Sequence, residues 1–347
     1  MWRIKYSSGV SATLDAKRLW LLYHAEPYVS VFIVESIVIC VNIMKKLSAS
    51  LLLVLASSLS MAHSEPAAKT PAAVEQIKNI QLASASASIV ELKSGKRLYG
   101  KNADVPVPIA SITKLMTAMV ILDGKQSLKE NITFTRNDRK LAHNYYSRIR
   151  TASELSREDV IRIMLMSSEN LAATALATNY PGGFKAFVNA MNAKAKTLGM
   201  NNTRFVDASG LSPNNISTAA DLTRMVSAAA KYPQISDYTT TKVFTANFQS
   251  PRYRLAYTNT NALVRGGKWD IRLSKTGYLD EAGRCLVMLA RIENRDVVMV
   301  MLDSFGKRTP TGDANRIRKW IQTGDSGTIA GAARDYERSK NAELQKR

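Results

Sequence analysis

The chain has 347 residues, of which 46% are hydrophobic and 22% are charged, and this ordinary globular composition is enough for one large domain or two small ones. Its net charge of +20 calls for an acidic partner. Apart from a basic tail the charges are spread along the chain, with no basic helix carrying interleaved aromatic residues and no zinc-finger spacing. We therefore expect no nucleic-acid partner and favour an acidic polymer.

The N-terminal region has the pattern of a secretory signal peptide that starts at Met44. Two lysines follow this methionine, and after them come a short apolar run and a small-residue exit that ends at Ala62. The run is too short to span a membrane comfortably, so residues 44–62 are assigned to a signal peptide. Residues 1–43 are interpreted as a spurious extension upstream of the true start, with a poor membrane anchor as the alternative. Residues 63–82, rich in small and polar side chains, form a leader.

The main domain, residues 83–323, opens with a predicted β-hairpin and a helix. Apolar runs bounded by turn residues predict strands at 83–90 and 96–99. Two prolines then come shortly before an apolar-rich run of strong helix formers. This pattern predicts a helix that has Ser111 in its first turn and runs to about Leu122.

The start of this helix carries candidates for nucleophilic chemistry. Ser111 and Lys114 are three residues apart and share a helix face, so their hydroxyl and ammonium groups can meet. A serine hydroxyl is a poor nucleophile until a neighbouring base takes its proton. A lysine in a partly desolvated pocket can lose its own proton and serve as that base. Because a lone pair of this kind also fits a solvated helix face, the assignment depends on motifs further along the chain.

Helices are predicted through the middle of the chain. Ser156 resembles the first residue of a capping box, and the apolar stripe behind it predicts a helix that breaks at residues 167–170. Further helices are predicted at 171–178, 184–198 and 219–230.

The C-terminal part changes to β-structure. Strands are predicted at 242–248, 253–257, 271–278, 285–292 and 297–302, and a closing helix at 315–322. Turn signals make the last three strands antiparallel neighbours. Residues 324–347 offer little to bury, so we expect a largely disordered basic tail. The element order predicts an α/β (α+β) sandwich, in which an antiparallel sheet is flanked by helices and carries an inserted helical subdomain.

Three short motifs stand in a fixed order along this chain. They are Ser111-x-x-Lys114, Ser168-Glu169-Asn170 and Lys275-Thr276-Gly277. Ser168 follows Ser111 at a separation of 57 positions, and Lys275 follows Ser168 at a separation of 107. Each motif is weak alone. In this order, placed at a helix start, an interhelical turn and a strand, they resemble the signature of penicillin-binding proteins and serine β-lactamases.

The resemblance extends over residues 80–322. The segments 106–118, 207–212, 217–222 and 274–285 are similar to those of the low-molecular-mass penicillin-binding proteins, the serine D-alanyl-D-alanine peptidases. This family implies a β-lactamase/transpeptidase-like fold and makes residues 83–323 the catalytic domain. Its carboxypeptidase branch carries an extra C-terminal β domain and an amphipathic anchor helix, neither of which we expect here.

The resemblance also implies roles for individual residues. Ser111 would attack the carbonyl of a D-alanyl peptide bond, with Lys114 as its base. Ser168 would pass a proton toward the leaving amine, and Asn170 would bind the substrate backbone. Lys275 would keep the site positive, lower the pKa of Lys114 and attract a carboxylate-bearing peptide.

The strand that carries Lys275 is expected to hold the substrate. Thr276 would bind the substrate carboxylate or amide, and the strand through Gly277 and Tyr278 would pair with an extended peptide. The backbone N–H groups of Ser111 and Tyr278 would form the oxyanion hole, in which one donor is typically worth about 3 kcal/mol.

Other chemistries are disfavoured by what the sequence lacks. His143 is the one histidine well inside the domain, so neither a Ser-His-Asp triad nor a zinc site is expected, and we predict no metal and no cofactor. Cys285 lies in a strand-like apolar run and is expected to be a buried, inert thiol.

The sequence thus predicts a periplasmic serine endopeptidase that cleaves peptidoglycan crosslinks through an acyl-enzyme on Ser111 and is inhibited by β-lactams. Its partners would be peptidoglycan stem peptides, with β-lactam antibiotics as inhibitors, and the basic charge leaves room for a loose membrane or cell-wall association. A carboxypeptidase that removes terminal D-alanine is the alternative. A β-lactamase is less well supported, because no convincing acidic residue is placed to activate the deacylating water. A catalytically idle wall-binding protein is the alternative from another class.

Overall fold

The computed structural model describes residues 80–142 and 146–346. The predicted signal peptide, the extension before it, most of the leader and His143 lie outside the described residues and stay predictions.

The described chain alternates short strands and helices before it closes with long antiparallel strands. The strands are β1 Ser84–Glu91, β2 Arg97–Lys101, β3 Val107–Pro108, β4 Asn131–Thr133, β5 Glu154–Ser156, β6 Ile216–Ser217, β7 Val243–Phe248, β8 Tyr253–Thr258, β9 Asp270–Leu279, β10 Gly283–Ile292 and β11 Arg295–Ser304. A 3₁₀ helix, Ala110–Thr113, leads into the first α-helix. The α-helices are α1 Lys114–Asp123, α2 Arg136–Ala142, α3 Arg157–Met166, α4 Asn170–Thr178, α5 Gly183–Thr197, α6 Ala219–Ala229, α7 Pro233–Thr240, α8 Ala262–Gly266, α9 Thr309–Thr323 and α10 Gly331–Leu344.

A five-stranded antiparallel sheet in the order β2-β1-β11-β10-β9 organises the fold. Side chains alternate between the two faces of a strand, and both faces of β11 are apolar. Val298, Val300 and Leu302 join the core shared with the helices α1 and α3 to α6, whereas Met299 and Met301 join the core beneath α9. The sheet is therefore covered on both sides, and the predicted fold class is confirmed.

Helix α1 lies at the centre of the helical subdomain. All of its residues from Lys114 to Ile121 are buried, because α3, α4, α5, α6 and α7 pack around it. A helix that is apolar on every side must be enclosed in this way. The lysine of the first motif is thereby placed at the buried end of a buried helix.

Two helix ends that local sequence signals predict, the start of α3 and the end of α5, are confirmed. The Ser156 side chain accepts a hydrogen bond from the backbone N–H of Asp159 and caps α3. Gly199 follows α5 with φ +69°, the left-handed conformation that ends many helices.

The prediction of a disordered tail over 324–347 is wrong for most of that segment, because α10 occupies it. Ala333 and Leu344 are buried, and the helix packs on β1 and β11. Lys101 on β2 forms an ion pair with Glu337 at 2.5 Å. The helix itself has only two buried apolar residues, so its docking also depends on polar contacts with distant strands that no local pattern reveals.

Short helices α2, α7 and α8 are also additions to the predicted elements, and α9 begins at Thr309 rather than at Asn315. The first turns of α2 and α9 are polar, and α8 has only five residues, so apolar periodicity alone underestimates these helices. Within the described residues, no helix combines the length and the apolar character that a membrane crossing requires.

Candidate active site

Ser111 sits in a backbone conformation that the surrounding loops hold in place. Ala110, just before it, has φ +48°, a strained value for a residue with a Cβ. The Thr113 hydroxyl donates to the Ala110 carbonyl at 2.8 Å. Gly210 packs so closely that a Cβ there would lie 1.9 Å from the Ala110 oxygen. A glycine is thus required at position 210 for the loop to support the turn that presents Ser111.

Lys114 reaches back from the first turn of α1 to the serine. Its Nζ lies 2.8 Å from Ser111 Oγ, 2.7 Å from Asn170 Oδ1 and 2.5 Å from the Ser209 carbonyl oxygen. Burial lowers the pKa of Lys114 to about 7, while the charges of Asp207 and Glu169 act in the opposite direction. A neutral amine could donate to the amide and carbonyl oxygens and accept the proton of Ser111.

The loop that supplies the Ser209 carbonyl is built around one carboxylate. Asp207 accepts hydrogen bonds from the backbone N–H groups of Ser209, Gly210 and Ser212. These bonds fix the loop so that its carbonyl faces Lys114. No role was predicted for this loop, because a backbone oxygen has no residue signature.

The second motif forms the turn between α3 and α4. Ser168 has φ +63°, and its Oγ accepts a hydrogen bond from Lys275 Nζ at 3.0 Å. Asn170 opens α4 and meets Lys114. Glu169 between them accepts from the Leu171 N–H at 3.2 Å and so caps α4. The turn therefore aims one polar side chain at each of the two lysines.

Lys275 is the second buried lysine of the site. Its Nζ donates to Ser168 Oγ and, at 2.8 Å, to the carbonyl oxygen of Thr276. Burial first, and the charge of Lys114 second, hold the pKa of Lys275 well below its usual range. For Lys114, burial is the cause of the lowered pKa, and the expected lowering by Lys275 is not found.

The rest of the third motif forms one wall of a cleft beside Ser111. The Thr276 hydroxyl donates to the Thr260 hydroxyl at 2.6 Å. A Cβ on Gly277 would lie 3.1 Å from the Ser111 nitrogen, so glycine lets β9 approach the serine closely. Tyr278 is half-exposed, and the guanidinium of Arg284 lies 3.6 Å from its ring centroid. Because β9 is an edge strand, its outer side can accept an added strand.

The cleft has a volume of about 730 Å³ and brings together Ser111, Ser168, Asn170, Thr276, Gly277 and Tyr278. Its lining also includes basic side chains for which no role was predicted, namely Arg265, Arg284, Lys307 and Arg308. No Asp or Glu lines the cleft among the described residues. The site is therefore suited to an anionic ligand.

The described part of the chain bears on two other chemistries, the reactivity of a cysteine thiol and the binding of a metal ion. Cys285 is buried, and burial raises the pKa of its thiol to about 12, as expected for an inert cysteine. No three His, Cys, Asp or Glu side chains among the described residues come together as metal ligands would.

The sequence matches a family model described as D-alanyl-D-alanine carboxypeptidase, peptidase S11, over residues 70–306. It is 46% identical over 290 residues to the D-alanyl-D-alanine endopeptidase of Escherichia coli K12, covering 84% of this chain and 94% of that protein. It is 47% identical over 286 residues to the D-alanyl-D-alanine endopeptidase of Pseudomonas aeruginosa PAO1, covering 82% and 92%.

Solved structures agree with these sequence matches. The Streptomyces K15 DD-transpeptidase superposes with a TM-score of 0.66 at 26% identity, over 70% of this chain and 98% of that one. Penicillin-binding protein D2 of Listeria monocytogenes in its ampicillin-bound form gives a TM-score of 0.60 at 28% identity, over 71% and 99%. The chain therefore belongs to the D-alanyl-D-alanine carboxypeptidase family, peptidase S11, and is a serine-type D-Ala-D-Ala peptidase.

Proposed function

We propose that the protein is a periplasmic serine D-alanyl-D-alanine endopeptidase that cleaves peptidoglycan crosslinks through an acyl-enzyme on Ser111. The observation that carries this proposal is the contact between Ser111 and the fully buried Lys114. With a pKa of about 7, Lys114 is neutral in a large fraction of molecules at neutral pH and can act as a base.

In the acylation step, Ser111 Oγ attacks the carbonyl carbon of D-alanine and its proton moves to Lys114. The backbone N–H groups of Ser111 and Tyr278 stabilise the oxyanion. Ser168 donates a proton to the leaving amine and is resupplied by Lys275, to which it is hydrogen-bonded. Water then attacks the ester carbonyl and passes its proton through Ser168 to Lys275. Lys114 returns its proton to Ser111 Oγ as the ester bond breaks, which restores Ser111 and both lysines.

Substrate binding is assigned to β9 and the basic cleft. An extended stem peptide would pair with the outer edge of β9, while Asn170 and Thr276 bind its backbone or carboxylate. The four basic side chains of the cleft suit diaminopimelate, whose free carboxylate lies beside the amide of a D-Ala–diaminopimelate crosslink. Peptidoglycan stem peptides are therefore the proposed partners.

The endopeptidase assignment is favoured by the names of relatives that this chain matches over almost their whole length. A carboxypeptidase that removes terminal D-alanine is the second candidate, because the family model carries that description. Inhibition by β-lactams is supported by the ampicillin-bound relative. A β-lactamase is disfavoured because Glu169 is engaged in capping α4. The intact contact between Ser111 and Lys114 disfavours an idle wall-binding protein.

Location in the periplasm rests on the signal-peptide pattern at 44–62. Export would leave a protein starting at His63, with the catalytic domain at 83–323. The net charge of +20 supports a loose association with the acidic wall or membrane surface.

Mass spectrometry of the protein incubated with crosslinked muropeptide dimers and with pentapeptide monomers tests the proposal. Dimers resolving to monomers, with the reaction blocked by penicillin and by Ser111→Ala, is the expected result. Release of only the terminal D-alanine would identify a carboxypeptidase. If neither substrate is turned over, a catalytically idle wall-binding protein becomes the better hypothesis.

A further inference from the structure

The β7–β8 hairpin and the loop beside it carry a basic surface that the proposed chemistry does not use. Arg148 and Arg150 lie on the loop, and Arg252 and Arg254 lie at the hairpin tip and on β8. We call these four residues the hairpin arginines. All four are exposed. They are separate from the basic residues that line the cleft.

None of the hairpin arginines forms an ion pair with a carboxylate among the residues that the structure describes. Glu154, whose backbone pairs with Gln249 next to the tip, is an acidic neighbour, so the surface keeps a clear positive excess. By contrast, Arg162 on α3 is held by several acidic side chains. Clustered like charges repel one another, and an anionic ligand would relieve this repulsion.

Two of these guanidinium groups are held in place by aromatic rings. Arg150 lies 4.7 Å from the centroid of Tyr253, and Arg148 lies 5.2 Å from that of Tyr257. Arg148 also donates to the carbonyl oxygen of Ala256 at 2.8 Å. Stacking leaves the edges of a guanidinium free to donate hydrogen bonds, and it reduces the entropy lost when a ligand binds.

The same rings make a sugar ligand a poor fit. Tyr253 stacks on Phe248 with centroids 4.6 Å apart and an interplanar angle of 7°, while Arg150 covers it as well. A sugar would need a free aromatic face, and Tyr253 is engaged on both. The groups left for a ligand are N–H donors, which favour carboxylates.

A hollow of about 510 Å³ lies at the hairpin tip and is lined by Arg252 and Arg254 together with Asn247 and Gln249. Guanidinium and carboxamide side chains together match a peptide that carries both carboxylates and amides. A stem peptide of peptidoglycan has this chemistry.

Strand β8 connects this surface to the cleft. Beyond Arg254 the chain continues to Thr260, whose hydroxyl meets that of Thr276 in the cleft wall. Arg254 and Thr260 are six residues apart, and β8 ends at Thr258, so the chain between them spans at most roughly 20 Å. A ligand that fills both places must therefore extend beyond the two residues that flank the scissile bond, as the peptidoglycan network does.

We propose that the hairpin arginines bind the carboxylates of a second stem peptide in the peptidoglycan network, next to the crosslink that is cleaved. This inference rests on the proposed function and adds an interaction surface to it. It predicts that one cleft handles a soluble crosslinked dimer and an intact wall differently.

The test compares a variant in which all four hairpin arginines are changed to Gln with a matched charge control. The control carries Lys185→Gln, Lys196→Gln, Arg204→Gln and Arg338→Gln, which remove four exposed charges from other elements. Sedimentation with isolated peptidoglycan sacculi measures binding, and the release of muropeptides measures turnover. A crosslinked muropeptide dimer serves as the small substrate.

For the hairpin variant we expect binding to sacculi to weaken by about tenfold at low ionic strength, and the difference to shrink at about 0.5 M salt because exposed charges are screened. Turnover of sacculi should fall at subsaturating concentrations, while turnover of the dimer stays at the wild-type value. The control variant should lose much less binding.

Equal losses in both variants would show that only bulk charge matters and would overturn the proposal. So would a loss of binding to phosphatidylglycerol vesicles with none to sacculi, which would make the surface a membrane contact. Slower turnover of the dimer would place the arginines in the cleft instead. Failure of the wild type to cut the dimer would refute the proposed function, whereas the sacculus-binding comparison would still report on this surface.

Discussion

Lys114 keeps its amine among neutral oxygen atoms, and no carboxylate of residues 80–142 or 146–346 lies within hydrogen-bonding distance of it. Its contacts are a hydroxyl, an amide oxygen and a carbonyl oxygen. Asp207 and Glu169 act on it only through their charge, and their effect is smaller than that of burial. The protein thereby favours the neutral amine, which is the form that a base requires.

Changing Lys114 to Arg should slow covalent labelling by a fluorescent penicillin at pH 7 by about a thousandfold, because a guanidinium stays protonated and cannot act as the base. The labelling rate measured by gel fluorescence checks this. Lys185→Arg on the exposed side of α5 is the matched control and should label at the wild-type rate. Labelling of the Lys114 variant at a similar rate would remove this residue as the base.

The same burial links stability to pH. The pKa of Lys114 is lowered to about 7 in the folded protein, whereas in the unfolded chain it returns to its ordinary value near 10.5. Between these values the unfolded state binds more protons, so the free energy of unfolding should increase with pH. Each buried lysine contributes at most about 1.4 kcal/mol per pH unit in this window, and Lys275 acts in the same direction.

Urea titrations at pH 7, 8 and 9 would measure this slope. Lys114→Met, which removes the titrating group, should show a smaller increase than the wild type across that range. An identical slope in both proteins would contradict the assignment of the lowered pKa.

At the scale of elements, the site is made where the edge strand β9 meets the start of α1. Position 277 controls this meeting, because a side chain there would press on the backbone of Ser111. The added Cβ would press on backbone atoms of the turn that leads into Ser111. This crowding could be relieved only by moving β9 or by moving the nucleophile.

Gly277→Ala should reduce penicillin acylation by about ten- to a hundredfold, since a small displacement of reacting groups costs this much, and should leave the fold intact. Acylation kinetics and circular dichroism together check the expectation. Gly331→Ala at the start of α10, where a Cβ meets nothing within 4 Å, is the control. A wild-type rate of acylation in the Gly277 variant would show that β9 can move away from Ser111 without slowing acylation.

How far the sequence could predict these elements depends on where their stabilising contacts lie. The strands β9 to β11 have long apolar runs, and the helix start at Ser111 has prolines before it, so local patterns were enough. The three motifs predicted which residues meet in the cleft. The Ser209 carbonyl and the positive φ of Ala110 could not be predicted, because both depend on a loop about 100 residues away that packs against the helix start.

At the scale of the whole molecule, the C-terminal helix α10 closes the sheet on the side of β1 and β11. Besides its two buried apolar residues, Tyr336 donates to Asp303 Oδ1 at 2.6 Å, and Asn341 accepts a hydrogen bond from Asn102. These contacts lie outside the cleft lining. The helix is therefore expected to support stability rather than chemistry.

Removing residues 325–347 should lower the melting temperature by about 5–10 °C, since a loss of two or three kcal/mol has this effect in a domain of this size. Turnover of the dimer at 25 °C should be nearly unchanged. Removal of residues 345–347 alone is the control and should not change the melting temperature. An unchanged melting temperature in the longer truncation would mean that α10 does not dock on the sheet in solution.

The position of β1 determines when the sheet can form during synthesis of the chain. This first strand pairs along its length with β11, and Ser84 lies opposite Ser304, 220 residues later. Contacts between residues so far apart in the sequence form slowly. Strand β1 also has no β11 to pair with until the ribosome has synthesised the chain as far as Ser304. The nascent protein thus cannot complete its sheet early, and this delay suits the export that we propose, in which the chain would cross a membrane while it is still unfolded.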